Sequence, residues 1–222
     1  MFPISDSIQA GKFPFINYSL IILTIAVFIL QITTPDQQTF INSYALIPAN
    51  VSFIHIKTLL PFITAIFLHG GLLHIITNMW FLFVFGDNVE AAFGKISYLL
   101  LYVAAGVIGN ITQYILMPSS QIPMLGASGA IAGVLGAYFI LFPYAKIKTL
   151  FFIFFLVTFV NIPATLMLGY WFVLQILSGA TSLPGGTNTG GVAFFAHIGG
   201  FITGILFAKI LNTNELENIG YE

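Results

Sequence analysis

Cysteine is absent from the 222 residues, and so is arginine. Without cysteine there is no disulfide, no thiol nucleophile and no thiolate-bound zinc or iron–sulfur site. Charge is almost as scarce. Only 6% of residues are charged, against about 25% in a typical soluble domain. The net charge of −1, with all six positive residues lysine, gives nothing to attract nucleic acid. What fills the chain instead is hydrocarbon, since 58% of residues are hydrophobic. That composition reads as an integral membrane protein with short tails and no separate soluble module. No small-x-small cleavage site follows the first apolar run, so that run reads as a retained helix.

A bilayer core of about 30 Å needs about 20 helical residues. Six stretches are expected to span it, at 15–33, 71–89, 96–117, 126–143, 161–178 and 191–211. The expected architecture is therefore an all-α six-helix membrane unit over 15–211. It has a short N-terminal segment at 1–14, a long outer loop at 34–70 and a tail at 212–222. The uncharged run 149–160, "TLFFIFFLVTFV", is too short to span and is followed by Pro163, so it reads as an extended or re-entrant piece packed against protein. With six spans, Lys12, Lys95, Lys146, Lys148 and Lys209 fall on one side and Lys57 on the other. The positive-inside rule then places both termini in the cytoplasm.

Polar residues inside membrane segments are costly and mark function by default. Four stand out: His74, Asn78, Ser128 and His197. In the six-span arrangement they lie within roughly 5–10 Å of the outer end of spans two, four and six. His74 and Asn78 are i, i+4 and share a helix face. Small-residue ridges at Ser128/Ala132/Gly136, Gly129/Gly133/Ala137 and Ala196/Gly200/Gly204/Ala208 allow spans four and six to pack closely. That packing brings Ser128 toward His197.

A serine hydroxyl becomes nucleophilic when a neighbouring base takes its proton, and His197 is placed to do so. Asn78, His74 and the Ser128 N–H at a helix N-terminus are donors for an oxyanion. Gly126 and Gly129 leave space for a substrate backbone. No carboxylate lies in this layer, so a Ser–His dyad is expected rather than a triad. Taken singly, each feature has an ordinary explanation. A serine among small residues is most often a packing residue, and a membrane asparagine is most often interhelical glue. A zinc site from His69, His74 and His197 would lack both HExxH and a carboxylate. The conjunction favours catalysis.

The strings "FLHGGLLHIITNMWFLFVFGDNVE", "MLGASGAIAGVLGAYF" and "AFFAHIGGFITGILF" occur in this order. With "PFINYSLI" and "NIPATLMLGYWFVLQILSG", they make the chain, from about Pro14 to Leu211, resemble the rhomboid intramembrane serine proteases of bacterial and archaeal type. The resemblance implies Ser128 as nucleophile, His197 as base, His74 and Asn78 as oxyanion donors, and Gly126 in the active-site loop. It implies a six-helix core with a water-filled cavity open to the outside, no cofactor and no metal, and cleavage of other proteins' transmembrane segments near the outer face. Trp171, Phe172 and the stretch 179–191 would form a substrate gate, and Glu90 would be structural; its place near a helix end reads as a cap or a brace of the following loop. Two departures stand out. Ala132 occupies the place where some members carry a tyrosine packed on the catalytic histidine, so another aromatic must take that role. A Trp-Arg pair of the first loop has no counterpart without arginine, so that loop is anchored differently. A catalytically silent escort of membrane helices is the competing expectation, and a bacterial or archaeal cytoplasmic membrane is the expected location. Substrate and oligomeric state are not legible.

Overall fold

The computed structural model describes residues 2–153, 156–182 and 192–211. The expected tail at 212–222 lies outside them. Among the described residues, five helices are long and apolar enough to cross a membrane. They are α1 (Phe15–Thr33), α4 (Leu72–Phe93), α5 (Lys95–Leu116), α7 (Ala164–Ser182) and α8 (Phe194–Leu211). Between α1 and α4 lie the short helices α2 (Gln37–Tyr44) and α3 (Pro61–Thr64). The fourth expected span is α6 (Ser128–Leu141), of only 14 residues. At 1.5 Å per residue it is about 21 Å long, roughly two-thirds of a bilayer core.

In an apolar solvent the usual pattern inverts, and polar side chains turn inward. Helix α1 shows this: Asn17, Thr24 and Gln31 are buried, while Ile22, Leu23, Ile29 and Leu30 are exposed. Asn17 accepts from the Tyr98 hydroxyl at 2.7 Å and donates to the Leu82 carbonyl at 3.1 Å. The first turn of α1 has free N–H groups, and Glu90 on α4 takes two of them. Its oxygens accept from Ile16 N–H at 3.0 Å and Asn17 N–H at 2.7 Å. Glu90 thus acts as a cap, and the helix it caps is α1. The long connection needs no arginine. Gln31 grips the His69 peptide on both sides, at 2.7 and 3.2 Å. Asn110 donates to the Phe62 carbonyl at 2.9 Å, and Leu46 pairs with Met124 through backbone bonds of 3.0 and 2.7 Å.

The expected all-α architecture needs one correction. A three-stranded antiparallel sheet runs in the order β1 (Phe2–Asp6), β2 (Lys146–Ile153), β3 (Leu156–Pro163). Strands need only about 5–6 residues, and 146–163 is rich in β-branched and aromatic types that suit them. Within 149–160, the residues up to Ile153 and from Leu156 are therefore extended and paired antiparallel, and α7 begins three residues after the expected Asn161. The N-terminal segment is a strand rather than a tail. The register slips between Pro3 and Ser5, where proline offers no ladder N–H. Side chains hold this strand to the helices. Trp80 Nε1–H donates to the Pro3 carbonyl at 2.6 Å, and Asp6 accepts from Asn88 at 2.7 Å and the Tyr138 hydroxyl at 2.6 Å.

These contacts gather five lysines at one end. Lys146 pairs near Ser7, Lys148 is opposite Ser5, and Lys12 follows β1 along the chain. Lys95 lies over the Phe15 ring at the start of α1. Lys209 is near the end of α8, where Phe207 meets Phe93 of α4. Lys57 is on the α2–α3 connection. At its far end α5 places Tyr114 against Phe53 of that connection and Phe62 of α3.

The core is built where α4, α5, α6 and α8 meet. Leu82, Phe85, Tyr98, Leu101, Tyr102 and Tyr138 are fully buried. Helices α6 and α8 touch backbone to backbone. A Cβ on Gly200 or Gly204 would collide with the carbonyl oxygens of Gly129 and Gly133, and one on Gly136 with that of Phe201. The small-residue ridges expected in spans four and six therefore meet each other.

Two variants test this packing. Gly204→Leu must separate two backbones and is expected to destabilise the protein by more than the ~1–3 kcal/mol of ordinary overpacking; an unchanged thermal midpoint in detergent would contradict it. Glu90→Ala leaves two buried N–H groups without acceptors and is expected to cost on the order of 1–3 kcal/mol, read as a lower midpoint, with Glu90→Gln falling between it and wild type.

Candidate active site

Ser128 is the first residue of α6. The segment before it is pinned on both edges, by the Leu46–Met124 pair and by a 2.9 Å bond from Gly126 N–H to the Ala65 carbonyl. Gly126 has φ of +134°, where residues with a Cβ are strained. A Cβ there would also lie 2.8 Å from Cε1 of His74. Gly126 therefore makes room for the His74 ring, and a Cβ there would also lie 3.8 Å from Ser128 Oγ. Gly129 faces Ala196 across the α6–α8 contact and is a packing glycine, not part of the cavity wall as expected.

His197 is the fourth residue of α8. The helix start is held by Gln113 of α5, whose Oε1 accepts from Phe195 N–H at 3.0 Å. From that position His197 Nε2 lies 2.8 Å from Ser128 Oγ. An alcohol in hydrogen-bond contact with an imidazole is the pairing that nucleophilic catalysis needs. The other ring nitrogen, Nδ1, lies 2.8 Å from Gln175 Oε1 on α7. The Trp171 ring lies 5.8 Å from His197, inclined at 34°, and the Phe194 edge lies 6.4 Å away. Trp171 thus supplies the aromatic neighbour that Ala132, buried in the core, does not.

His74 and Asn78 share one face of α4, and Asn78 Nδ2 donates to the His74 carbonyl at 2.9 Å. His74 Nδ1 accepts from Gly70 N–H at 3.3 Å. A neutral imidazole that accepts at Nδ1 carries its proton on Nε2, and that nitrogen would lie 2.9 Å from a Cβ on Gly126. His69 packs edge-on against it, with ring centroids 5.0 Å apart. Burial pushes the His69 imidazole down to about 4, with His74 adding to the effect. His69 Nε2 accepts from Ala127 N–H at 3.5 Å, the role of an unprotonated ring nitrogen.

His74, Asn78, Ser128, Trp171 and His197 line one cavity of about 950 Å³. Ser128, His197, His74 and Asn78, expected from sequence to share a layer, do come together. Phe172, expected beside Trp171 in a gate, instead stacks on Phe201 of α8 with centroids 4.4 Å apart. Most of the expected cap, 183–191, lies outside the described residues. Among the described residues no cluster of His, Asp or Glu could hold a metal ion. Three amides in this region escaped the sequence reading: Gln31, Gln113 and Gln175. Gln175 carried a usable signal, as a lone amide in an apolar span one helical turn after Trp171.

Residues 57–214 match the family model described as the Rhomboid domain. RHOMBOID-like protein 6, mitochondrial, of Arabidopsis thaliana is 32% identical over 149 residues, covering 67% of this chain and 42% of that protein. Rhomboid protein 1, mitochondrial, of Saccharomyces cerevisiae is 29% identical over 195 residues, covering 86% of this chain and 51% of that protein. Rhomboid protease GluP of Bacillus subtilis strain 168 is 43% identical over 75 residues, covering 34% of this chain and 14% of that protein. The chain spans about half or less of the length of these relatives. Two of the three are mitochondrial by name, so the expected bacterial or archaeal membrane is not supported. With most of its length inside the family model and its apolar helices arranged around this cavity, the chain is a multi-pass membrane protein and belongs to the rhomboid family.

Proposed function

We propose that the chain is an intramembrane serine endopeptidase acting on transmembrane segments of other proteins. The observation that carries the reading is the 2.8 Å contact of Ser128 Oγ with His197 Nε2 at the wall of a roomy cavity. In the proposed reaction Nε2 takes the hydroxyl proton as Oγ bonds to the substrate carbonyl carbon. The carbonyl oxygen becomes an oxyanion. Its donors are His74 Nε2–H, the Asn78 N–H not given to the His74 carbonyl, and the Ser128 backbone N–H, one of the free amides of the first turn of α6. Collapse breaks the C–N bond, and the leaving amine takes the proton from His197. Water then attacks the acyl-enzyme with His197 again as base, releasing the carboxylic acid and restoring Ser128.

The proposed setting is six spans, α6 being the fourth, in one unit from about 15 to 211 with both termini in the cytoplasm. Five lysines at one end support this orientation. The short α6 supports a recessed site: a helix about 9 Å shorter than the bilayer core starts below the surface, leaving depth for water above Ser128. Trp171 serves as a wall between cavity and lipid, with Phe172 anchoring α7 on α8. A substrate helix hides its carbonyls in i→i−4 bonds and must unwind to react, so Gly or Ala near the cleavage point is expected.

Cleavage of a fluorescent single-pass protein in proteoliposomes tests this. Wild type cuts it, and Ser128→Ala and His197→Ala fall to background. Asn78→Ala, losing one of several oxyanion donors, is expected to lower kcat on the order of 100-fold. Undiminished cleavage by Ser128→Ala, or none by wild type on any Gly- or Ala-containing span, refutes the proposal and favours an escort that binds helices without cutting.

A further inference from the structure

We infer that Gln175 is the positioning residue of the catalytic base, taking the place that an acidic residue holds in a triad; this rests on the proposed peptidase reading. Gln175 sits on α7 among Val173, Leu174, Ile176 and Leu177, all exposed on the apolar outer surface. An amide in that setting is costly unless its hydrogen bonds are made inside the protein. It makes two. Its Nε2–H donates to the Trp171 carbonyl one turn earlier, at 3.3 Å. Its remaining polar atom, Oε1, lies 2.8 Å from His197 Nδ1.

The first bond decides the meaning of the second. Because the amide nitrogen is turned to a carbonyl, the atom facing His197 is the oxygen, which can only accept. Nδ1 must then be the protonated nitrogen of the neutral ring. Nε2 is left with its lone pair, 2.8 Å from Ser128 Oγ, as a base requires. In the opposite tautomer Nε2–H would face the hydroxyl, and Nδ1 and Oε1 would be two acceptors in contact. Gln175 thus selects the competent tautomer and fixes the ring plane, while Trp171, from the same helix, packs beside the ring. When the imidazolium forms, the amide dipole still points its negative end at Nδ1–H. Among the described residues no other side chain is hydrogen-bonded to Nδ1. One helix therefore supplies both the aromatic and the polar support of His197, and α6 and α8 supply the reacting pair.

The test uses the full chain in proteoliposomes with two variants. Gln175→Met keeps length and apolar bulk but removes the acceptor. Gln175→Glu keeps an oxygen at the same place. Gln175→Met is expected to lower kcat about tenfold, the loss of one hydrogen bond, with KM and thermal midpoint unchanged. Gln175→Glu is expected to retain most of the kcat. Nitrogen-15 NMR of labelled histidine adds a signature that a merely structural glutamine would not move: the His197 signals report a single tautomer protonated at Nδ1 in wild type and a mixture in Gln175→Met. Wild-type kcat in Gln175→Met, equal losses in both variants together with a lower midpoint, or an unchanged tautomer signature each overturns the inference while leaving the peptidase reading intact. Inactive wild type would instead remove the reading on which it rests.

Discussion

Glycine in α6 and α8 brings two backbones together until carbonyl oxygens of one helix face Cα atoms of the other, and that approach decides where Ser128 and His197 stand. The two residues are each near the start of their helix, so the same close contact that leaves no room for a Cβ also brings hydroxyl and imidazole to 2.8 Å. Any larger residue at Gly136, Gly200 or Gly204 would push the helices apart and break the pair before touching it. Packing and chemistry are therefore one constraint in this molecule. The small-residue ridges are the condition for the dyad as well as for the bundle.

Around that contact, side-chain amides do the aligning that charged groups do in soluble proteins. Asn17 links α1 to α4 and α5; Gln31 holds the peptide of His69; Asn110 holds the α3 region; Gln113 caps α8; Gln175 reaches His197. Each is neutral, so burying it against lipid costs less than burying an ion, and each can donate and accept at once. Glu90 is the exception, and it is matched to two N–H groups at the start of a helix, where negative charge is favoured. The scarcity of charge in the composition is thus answered by a network of amides facing inward.

Much of this was legible in advance. Hydropathy located the long spans to within a few residues, because about 20 apolar residues leave little freedom for anything but a spanning helix. Ser128, His197, His74 and Asn78 stood out since each is a polar residue whose position in a span has a definite depth. What escaped had physical reasons. The sheet escaped because β1 has no hydrophobic run and because most of β2 and all of β3 lie in an uncharged stretch that resembles a broken span. The start of α6 was misjudged by two residues because Gly126, at φ of +134°, belongs to a loop pinned by partners remote in sequence. Gln175 was passed over because an amide carries no reactive proton of its own. Its importance comes from a contact with a residue 22 positions away, which spacing alone does not reveal.

The central claim is that the contact with His197 makes Ser128 a nucleophile. Treatment of the folded chain in detergent with a fluorophosphonate probe, followed by intact-mass and peptide analysis, reads that directly. One adduct per chain, mapped to Ser128 and lost in His197→Ala, is the predicted result. An unmodified Ser128 in folded protein, or a labelling rate indifferent to His197, would contradict the account.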